Sequence, residues 1–353
     1  MLPLDSLAFP LRFDPSIYIS LAFLFGIAAH FRAMDGYSFL RRIISLLADK
    51  FGILYAVVIV TAIFSPFILN DVVVLILAPV LVRYAKQFSV DVTPLLVALI
   101  TFSNIASSLT PIGNPQNILL WQASAVSPHQ FVLGTWLPLA VSGILAASLL
   151  YPFKNKLGSP REVPQPRAVG SHDVSLRRPA IYLLAVAVMI FSLNLVRIPN
   201  VVTLGVAFLS GFVFTSGSLR RLLREFDVKS LLIICLLIAS VTFVATAIQP
   251  ALAPYVAPVA AGVQPYSALY IGFVSNIISN VPATQLILSV TSVTPRVAPK
   301  IAVQAGLAGN IDPIASFANI LVLLIVRRNG LPIRKVIILQ LIIGMISYLP
   351  AFI

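Results

Sequence analysis

The sequence holds one cysteine, Cys235, three histidines and eleven acidic residues in 353. A lone thiol can neither close an internal disulfide nor build a thiolate metal cluster. Charged residues make up only 10% of the chain, too few for the surface of a soluble domain of this size. There is no Gly-x-x-x-x-Gly-Lys-Ser/Thr loop to cradle ATP phosphates, no His-Glu-x-x-His zinc pair and no nucleophile elbow. These absences point away from an enzyme, so no catalytic residue, metal site or cofactor is expected. Met1 to Pro10 has no positive n-region and no cleavage site, and it does not read as a signal peptide.

What is abundant is apolar surface. Hydrophobic residues form 59% of the chain, and the mean hydropathy is +1.00. Such a chain takes lipid as its solvent. Apolar runs fall at about 17–31, 51–69, 72–87, 93–109, 115–127, 130–152, 179–196, 199–217, 229–247, 266–279, 282–293, 297–308, 313–326 and 332–352. A helical crossing needs about 20 residues, so several runs are too short to cross alone. The short ones pair at Asn70-Asp71, at Asn280 to Pro282, at Leu109 to Asn114 and at Gly309 to Pro313.

The formal charge of +13 raises the question of nucleic acid, but no basic stretch carries interleaved aromatics or a recognition motif. Topology explains the charge better. With the N-terminus outside and the first two short pairs treated as hairpins, 20 Lys and Arg fall on the cytoplasmic side and only Arg12, Arg197, Arg296 and Lys300 fall outside. The polar linker 153–178 is then cytoplasmic. Full crossings by 51–69 and 72–87 would fit the charges equally well. The amphipathic stretch Asp35 to Lys50 reads as an interfacial helix. His30, His129 and His172, at a helix end or in loops, read as structural.

An internal repeat is visible. At an offset of 210, Ser65-Pro-Phe-Ile-Leu-Asn70 lies over Ser275-Asn-Ile-Ile-Ser-Asn280, matching at three of six positions. At an offset of 202, Thr110-Pro-Ile-Gly-Asn-Pro-Gln-Asn-Ile-Leu119 lies over Asp312-Pro-Ile-Ala-Ser-Phe-Ala-Asn-Ile-Leu321, matching at five of ten. The halves run in opposite senses through the membrane, and inverted repeats with interrupted helices are the mark of secondary transporters. The expected organisation is a first repeat at 1–152, the linker 153–178, a connecting helix pair at 179–228 and a second repeat at 229–353.

At these blocks the sequence resembles the ion transporter superfamily, which includes arsenical pump membrane proteins, citrate carriers, Na+/H+ antiporters and dicarboxylate/Na+ symporters. Asn104-Ile-Ala-Ser-Ser-Leu-Thr-Pro-Ile-Gly-Asn-Pro-Gln-Asn117 is similar to that family's Asn-Ile-Gly-Gly-Thr-x-Thr-x-Ile-Gly-x-Pro-x-Asn break. Leu69-Asn70-Asp71 resembles the hairpin tip of the arsenite branch, and Ser279-Asn280-Val-Pro-Ala-Thr284 resembles the second tip. Gly309 to Asn319 resembles the second break, with Asp312 where the family often has Thr. Helices that precede the first repeat in larger members have no counterpart here. The resemblance implies an all-α membrane protein of two inverted repeats, each with a re-entrant helical hairpin and a broken transmembrane helix.

Unwound backbone at membrane depth is tolerated only where protein buries it or a wet cavity meets it. The polar residues gathered there form the candidate substrate site: Asn70, Ser107, Ser108, Thr110, Gly113, Asn114, Asn117, Ser279, Asn280, Thr284, Asn310, Ser316 and Asn319. Pure capping competes with this reading, since Asn114-Pro115 and Asp312-Pro313 each look like an N-cap followed by an N1 proline. Asp71 and Asp312 are the acids expected within the hydrocarbon, and both are candidates for coupling to H+ or Na+. Four inward-pointing half-helix N-termini would carry about +0.5 each, which two ionised Asp would roughly cancel. No Lys or Arg lies in a break or tip.

The expected function is ion-coupled secondary transport by alternating access, with proton-coupled export of an arsenite-like metalloid oxyacid or inorganic anion preferred. Citrate, dicarboxylate or other anion transport, Na+/H+ antiport and a passive channel are the alternatives. The expected partners are that small solute and the lipid bilayer, a homodimer is allowed, and nucleic acid is not expected. The expected location is the inner membrane, crossed several times.

Overall fold

The computed structural model describes residues 15–67, 69–157, 177–196, 198–215, 219–229, 261–290 and 292–353, with scattered positions between 231 and 259. Met1 to Pro10, most of the 153–178 linker with His172, and much of the 229–247 run lie outside the described residues. The described residues form helices and turns and include no strand. All backbone hydrogen bonds within a helix are local, which is what a chain solvated by lipid requires.

The helices follow the apolar runs. In the first half these are α1 (Pro15–Ala33), α2 (Gly36–Phe51), α3 (Ile53–Phe64), α4 (Asn70–Phe88), α5 (Thr93–Ser107), α6 (Pro115–Ser124) and α7 (Pro128–Leu150). A connecting group holds α8 (Arg177–Leu195), α9 (Asn200–Phe214) and α10 (Leu219–Glu225). The second half holds α11 (Tyr266–Ile278), α12 (Asn280–Val290), α13 (Ala298–Ala308), α14 (Phe317–Arg328) and α15 (Ile333–Tyr348). Proline begins several of them: Pro94, Pro115, Pro128 and Pro299 stand in first turns, where a missing N–H costs nothing. Ser127 and Gln130 complete a reciprocal capping box at α7.

Among the described residues, the helical stretches 128–154 and 333–352 are long and apolar enough to cross a bilayer. They correspond at the 202 offset. α2 buries Leu40, Ile44 and Ala48, spaced by four, and packs on α3 while Leu46 stays exposed. That is the face pattern of an amphipathic helix.

Packing between helices repeats when the halves are exchanged. α3 lies on α5 as α11 lies on α13, α4 lies on α14 as α12 lies on α6, and α15 lies on α5 as α7 lies on α13. The second arm of each hairpin-like pair thus packs on the broken helix of the opposite half. α1 packs on α9, where His30 is fully buried, faces Thr215 at 3.2 Å and is ringed by Tyr182, Phe208 and Phe212. The histidine fills an aromatic core, while His129 is exposed in the first turn of α7.

Basic side chains at one end of the bundle engage the end of α10, the residues just after it and the end of α14. Arg32 donates to the Glu225 carbonyl at 2.7 Å, Arg328 pairs with Asp227 at 2.6 Å and Lys86 donates to Asn329 at 2.8 Å. The C-terminal ends of α1, α4 and α14 are therefore tied together, where cations also suit the helix dipole. All these cations belong to the set assigned to one side by charge.

Candidate functional site

Both breaks expected from the sequence exist. Helix stops after Ser107 and resumes at Pro115, then stops after Ala308 and resumes at Phe317. The second restart differs from expectation. Asp312-Pro313 does not begin a helix; Ser316 occupies the N-cap with φ −139° and ψ 140°, matching Asn114 at φ −138° and ψ 150°. The 202 offset explains this, because it aligns Asp312 with Thr110 and Ser316 with Asn114. The Asp312 carboxylate instead accepts the Ile314 N–H at 2.8 Å, closing a local turn on a partly exposed loop.

Each break is cross-braced by one asparagine. Asn117 Nδ2 donates to the carbonyls of Ser107 and Thr110, and Asn319 Nδ2 donates to those of Gly309 and Asp312. All three positions in one set map onto the other at the same offset. The Thr110 hydroxyl also donates to the Pro66 carbonyl, tying the first break to the turn that precedes α4. Space is tight enough to dictate glycine: a Cβ on Gly113 would sit 2.0 Å from the Ser107 carbonyl oxygen, and one on Gly344 would sit 2.1 Å from that of Asn310.

The hairpin tips repeat as well. Leu69 has φ +43° and Ser279 has φ +73°, a region that side-chain-bearing residues rarely occupy, and they are 210 apart in sequence. That strain turns the chain so that the Asn70 N–H donates to the Gly113 carbonyl and the Asn280 N–H donates to the Ala315 carbonyl, both at 3.0 Å. Each tip is thereby fastened to the break of its own half. Strain of this kind persists where the surroundings over-determine it, often at functional sites.

The N-termini of α4, α6, α12 and α14 converge on one small cavity. Its wall is made by Asn70, Asp71, Pro115, Gln116, Ser279, Asn280, Val281, Ser316 and Phe317, and its volume is about 10 Å³, roughly the space of one water. Leu69, Asn114 and Ser316 make no side-chain capping bond to the helices that they precede. The capping reading thus fails for both polar N-caps. The first-turn N–H groups are left without side-chain acceptors at the place where the four positive helix ends meet.

Asp71 is the one acid on that wall, 3% exposed, and no hydrogen bond or ion pair reaches its carboxylate among the described residues. No Lys or Arg lines the cavity. The remaining expected residues surround it without forming its wall. Ser107 and Ser108 donate back to the Asn104 carbonyl, and Asn114 Nδ2 meets Ser108 Oγ at 3.4 Å. Thr284 is fully buried one turn into α12 and its hydroxyl has no partner; Asn310 Nδ2 is likewise unpartnered.

One residue that did not stand out from the sequence is the centre of the network. Asn104, 1% exposed near the end of α5, accepts at Oδ1 from Asn70 at 3.1 Å and from Ser316 at 3.0 Å. Its Nδ2 donates to Asn310 at 3.1 Å and Asn319 at 3.2 Å. Two donors and two acceptors are all that a primary amide offers, so Asn104 is saturated. Three of its partners come from the second half. The 202 offset places Gly306 opposite it, where a Cβ would lie 1.8 Å from Ser108 Oγ. There is room for one such amide, and its absence from the other half was the signal to be found: an asparagine aligned with glycine inside otherwise matched breaks. Correspondingly Asn117 Oδ1 has no partner, while Asn319 Oδ1 receives Asn104.

This asymmetry predicts unequal effects from equivalent substitutions. Asn117→Ala and Asn319→Ala should both weaken substrate binding, since each frees one buried and one partly buried carbonyl, at about 1–3 kcal/mol per buried group left unsatisfied. Asn319→Ala should be the more severe, because it also strands a donor of Asn104. Thermal unfolding of the two purified variants, with substrate binding on each, checks the order.

The silicon efflux transporter LSI3 of Oryza sativa subsp. japonica is 39% identical over 88 residues, which is 25% of this chain and 18% of that protein. The inner membrane protein YbiR of Escherichia coli (strain K12) is 33% identical over 110 residues, 31% of this chain and 29% of that protein. The matches thus span less than a third of either relative. A family model described as citrate transporter covers residues 7–317. The chain belongs to the citrate transporter family.

Proposed function

We propose that this protein is a proton-coupled secondary transporter that exports a small oxygen-rich solute, a metalloid oxyacid or its monoanion, by alternating access. The observation that carries this reading is the central wall: four helix N-termini, three of them preceded by a residue that makes no side-chain capping bond, with neutral amides and hydroxyls, one carboxylate and no cation. Uncapped N–H groups bind oxygen atoms, charged or neutral. With about +0.5 per helix end, the site carries roughly +2, or roughly +1 when Asp71 is ionised. Asp312 is turned into its own loop, so it does not enter this balance, and the coupling role falls to Asp71 alone.

A cavity so poised accommodates a neutral hydroxide or a single negative charge. Citrate would bring up to three charges without a side-chain cation to meet them. The silicon efflux activity named for the rice relative favours the metalloid reading over the carboxylate one.

The paired contacts exchanged between halves, the two strained tips and the two breaks support inverted repeats with re-entrant hairpins. The end that gathers Arg32, Lys86 and Arg328 is then cytoplasmic by the positive-inside rule. The two tips and two breaks, fastened to one another within and across the halves, can move as one body against the surrounding helices. A passive channel would need a continuous opening instead.

A proteoliposome screen of arsenite, antimonite, silicate, citrate, dicarboxylates and Na+, under imposed proton and sodium gradients, tests the proposal. Saturable, proton-driven movement of a metalloid oxyacid is the expected result. Movement of citrate alone, or a flux that neither saturates nor responds to the proton gradient, would overturn it.

A further inference from the structure

A second cavity, about 220 Å³, lies between α7, the first two turns of α13 and the turn at 349–352 that follows α15. It shares no residue with the central wall. Its outer side is apolar and open: Leu133, Trp136 and Leu137 on α7 are 57%, 51% and 46% exposed. In a membrane-embedded chain these side chains face hydrocarbon, with the tryptophan at a position suited to the interface.

Its inner side is polar. Lys300 borders the cavity and makes no ion pair or hydrogen bond among the described residues. Gln304 is 1% exposed, and its Nε2 donates to Ser267 Oγ at 3.1 Å and to the Ala351 carbonyl at 3.3 Å. A carbonyl can only accept, so the amide orientation is fixed and Gln304 Oε1 is left as a buried acceptor without a partner. Gln264 Oε1, also at the cavity, is buried and unpartnered too.

A ligand matched to this place needs an apolar tail, an anionic group for Lys300 and hydrogen-bond donors for two amide oxygens. We infer that the cavity binds one phospholipid through a donor-bearing headgroup, an ethanolamine ammonium or glycerol hydroxyls, with the phosphate at Lys300 and an acyl chain along Leu133 and Leu137. Bound there, the lipid fills the seam between the long helix α7 and α13, one of the two broken helices. Choline, which has a phosphate but no donor, meets only part of the site. Juxtaposed basic residues and lipid headgroups attract one another even in competition with water.

Native mass spectrometry of the full chain, in micelles with equimolar phosphatidylethanolamine, phosphatidylglycerol and phosphatidylcholine, tests this. One ethanolamine or glycerol lipid per chain is expected, favoured about five- to tenfold over the choline lipid. Lys300→Gln should lower the occupancy of all three lipids about fivefold, since each carries the phosphate, and Lys300→Arg should keep it. Equal occupancy by all three lipids in the wild type, or an unchanged total occupancy in Lys300→Gln, would overturn the inference. Should Lys300→Gln fail to fold, wild-type thermal unfolding in phosphatidylcholine nanodiscs decides. Stabilisation that saturates at one added equivalent of phosphatidylethanolamine is expected, and a rise without saturation would refute a discrete site.

Discussion

Asp71→Asn should abolish proton-driven uptake or exchange in proteoliposomes while leaving the protein folded and able to bind solute. The change keeps the size and shape of the side chain but removes its capacity to gain and lose a proton. At this position that capacity matters, because Asp71 is the sole ionisable group on a wall that otherwise holds amides, hydroxyls and helix ends. Switching it changes the local charge between roughly +1 and +2, a large relative swing in a site shielded from water. A solute whose binding depends on that charge is then tied to the proton. A carboxylate at membrane depth that served only packing would tolerate the amide. Flux measured against an imposed pH gradient, with solute binding measured at equilibrium, separates the two cases: unchanged coupling in the variant would remove Asp71 from the mechanism.

The second large effect is expected at Asn104. Asn104→Ala removes all four hydrogen bonds of a fully buried amide at once, stranding groups on Asn70, Asn310, Asn319 and Ser316. At about 1–3 kcal/mol for each buried group left unsatisfied, the loss exceeds roughly 4 kcal/mol, beyond the range of most single substitutions. Asn104→Asp should be harmful in a different way. It retains acceptors for Asn70 and Ser316 but places a negative oxygen against the carbonyl oxygens of Asn310 and Asn319. Alanine should therefore lower the unfolding temperature most, whereas aspartate should retain more of the fold and lose transport. Equal unfolding temperatures for wild type and Asn104→Ala would show that the network contributes nothing net.

These expectations rest on different depths of reading. The apolar runs located nearly every described helix, because lipid solvation forces long stretches of uniform character onto the chain. The offsets of 202 and 210 located both breaks and both tips, since a duplicated backbone keeps the Pro and Asn that interrupt it. The same offset, followed strictly, would also have placed the second N-cap at Ser316. The appearance of Asp312-Pro313 as a helix start was a local signal, and the register of the repeat overrode it. The hub at Asn104 was harder, because its partners lie 206, 212 and 215 residues away in the opposite half. Apart from its place at the head of the matched break motif, nothing local to Asn104 distinguishes it from an amide that merely caps its own helix.

The sequence by itself therefore determined the apolar character, the helix positions and the offsets at which its blocks match, all of which depend on near neighbours or on comparison of the chain with itself. Only the tertiary structure decided which of two intramembrane acids meets the cavity, which N-caps leave their helices uncapped and which amide holds the halves together. Those outcomes depend on how four helix ends from distant parts of the chain approach within a few ångströms. At that range a hydrogen bond is made or lost through the direction of a single side chain, which composition and spacing do not specify.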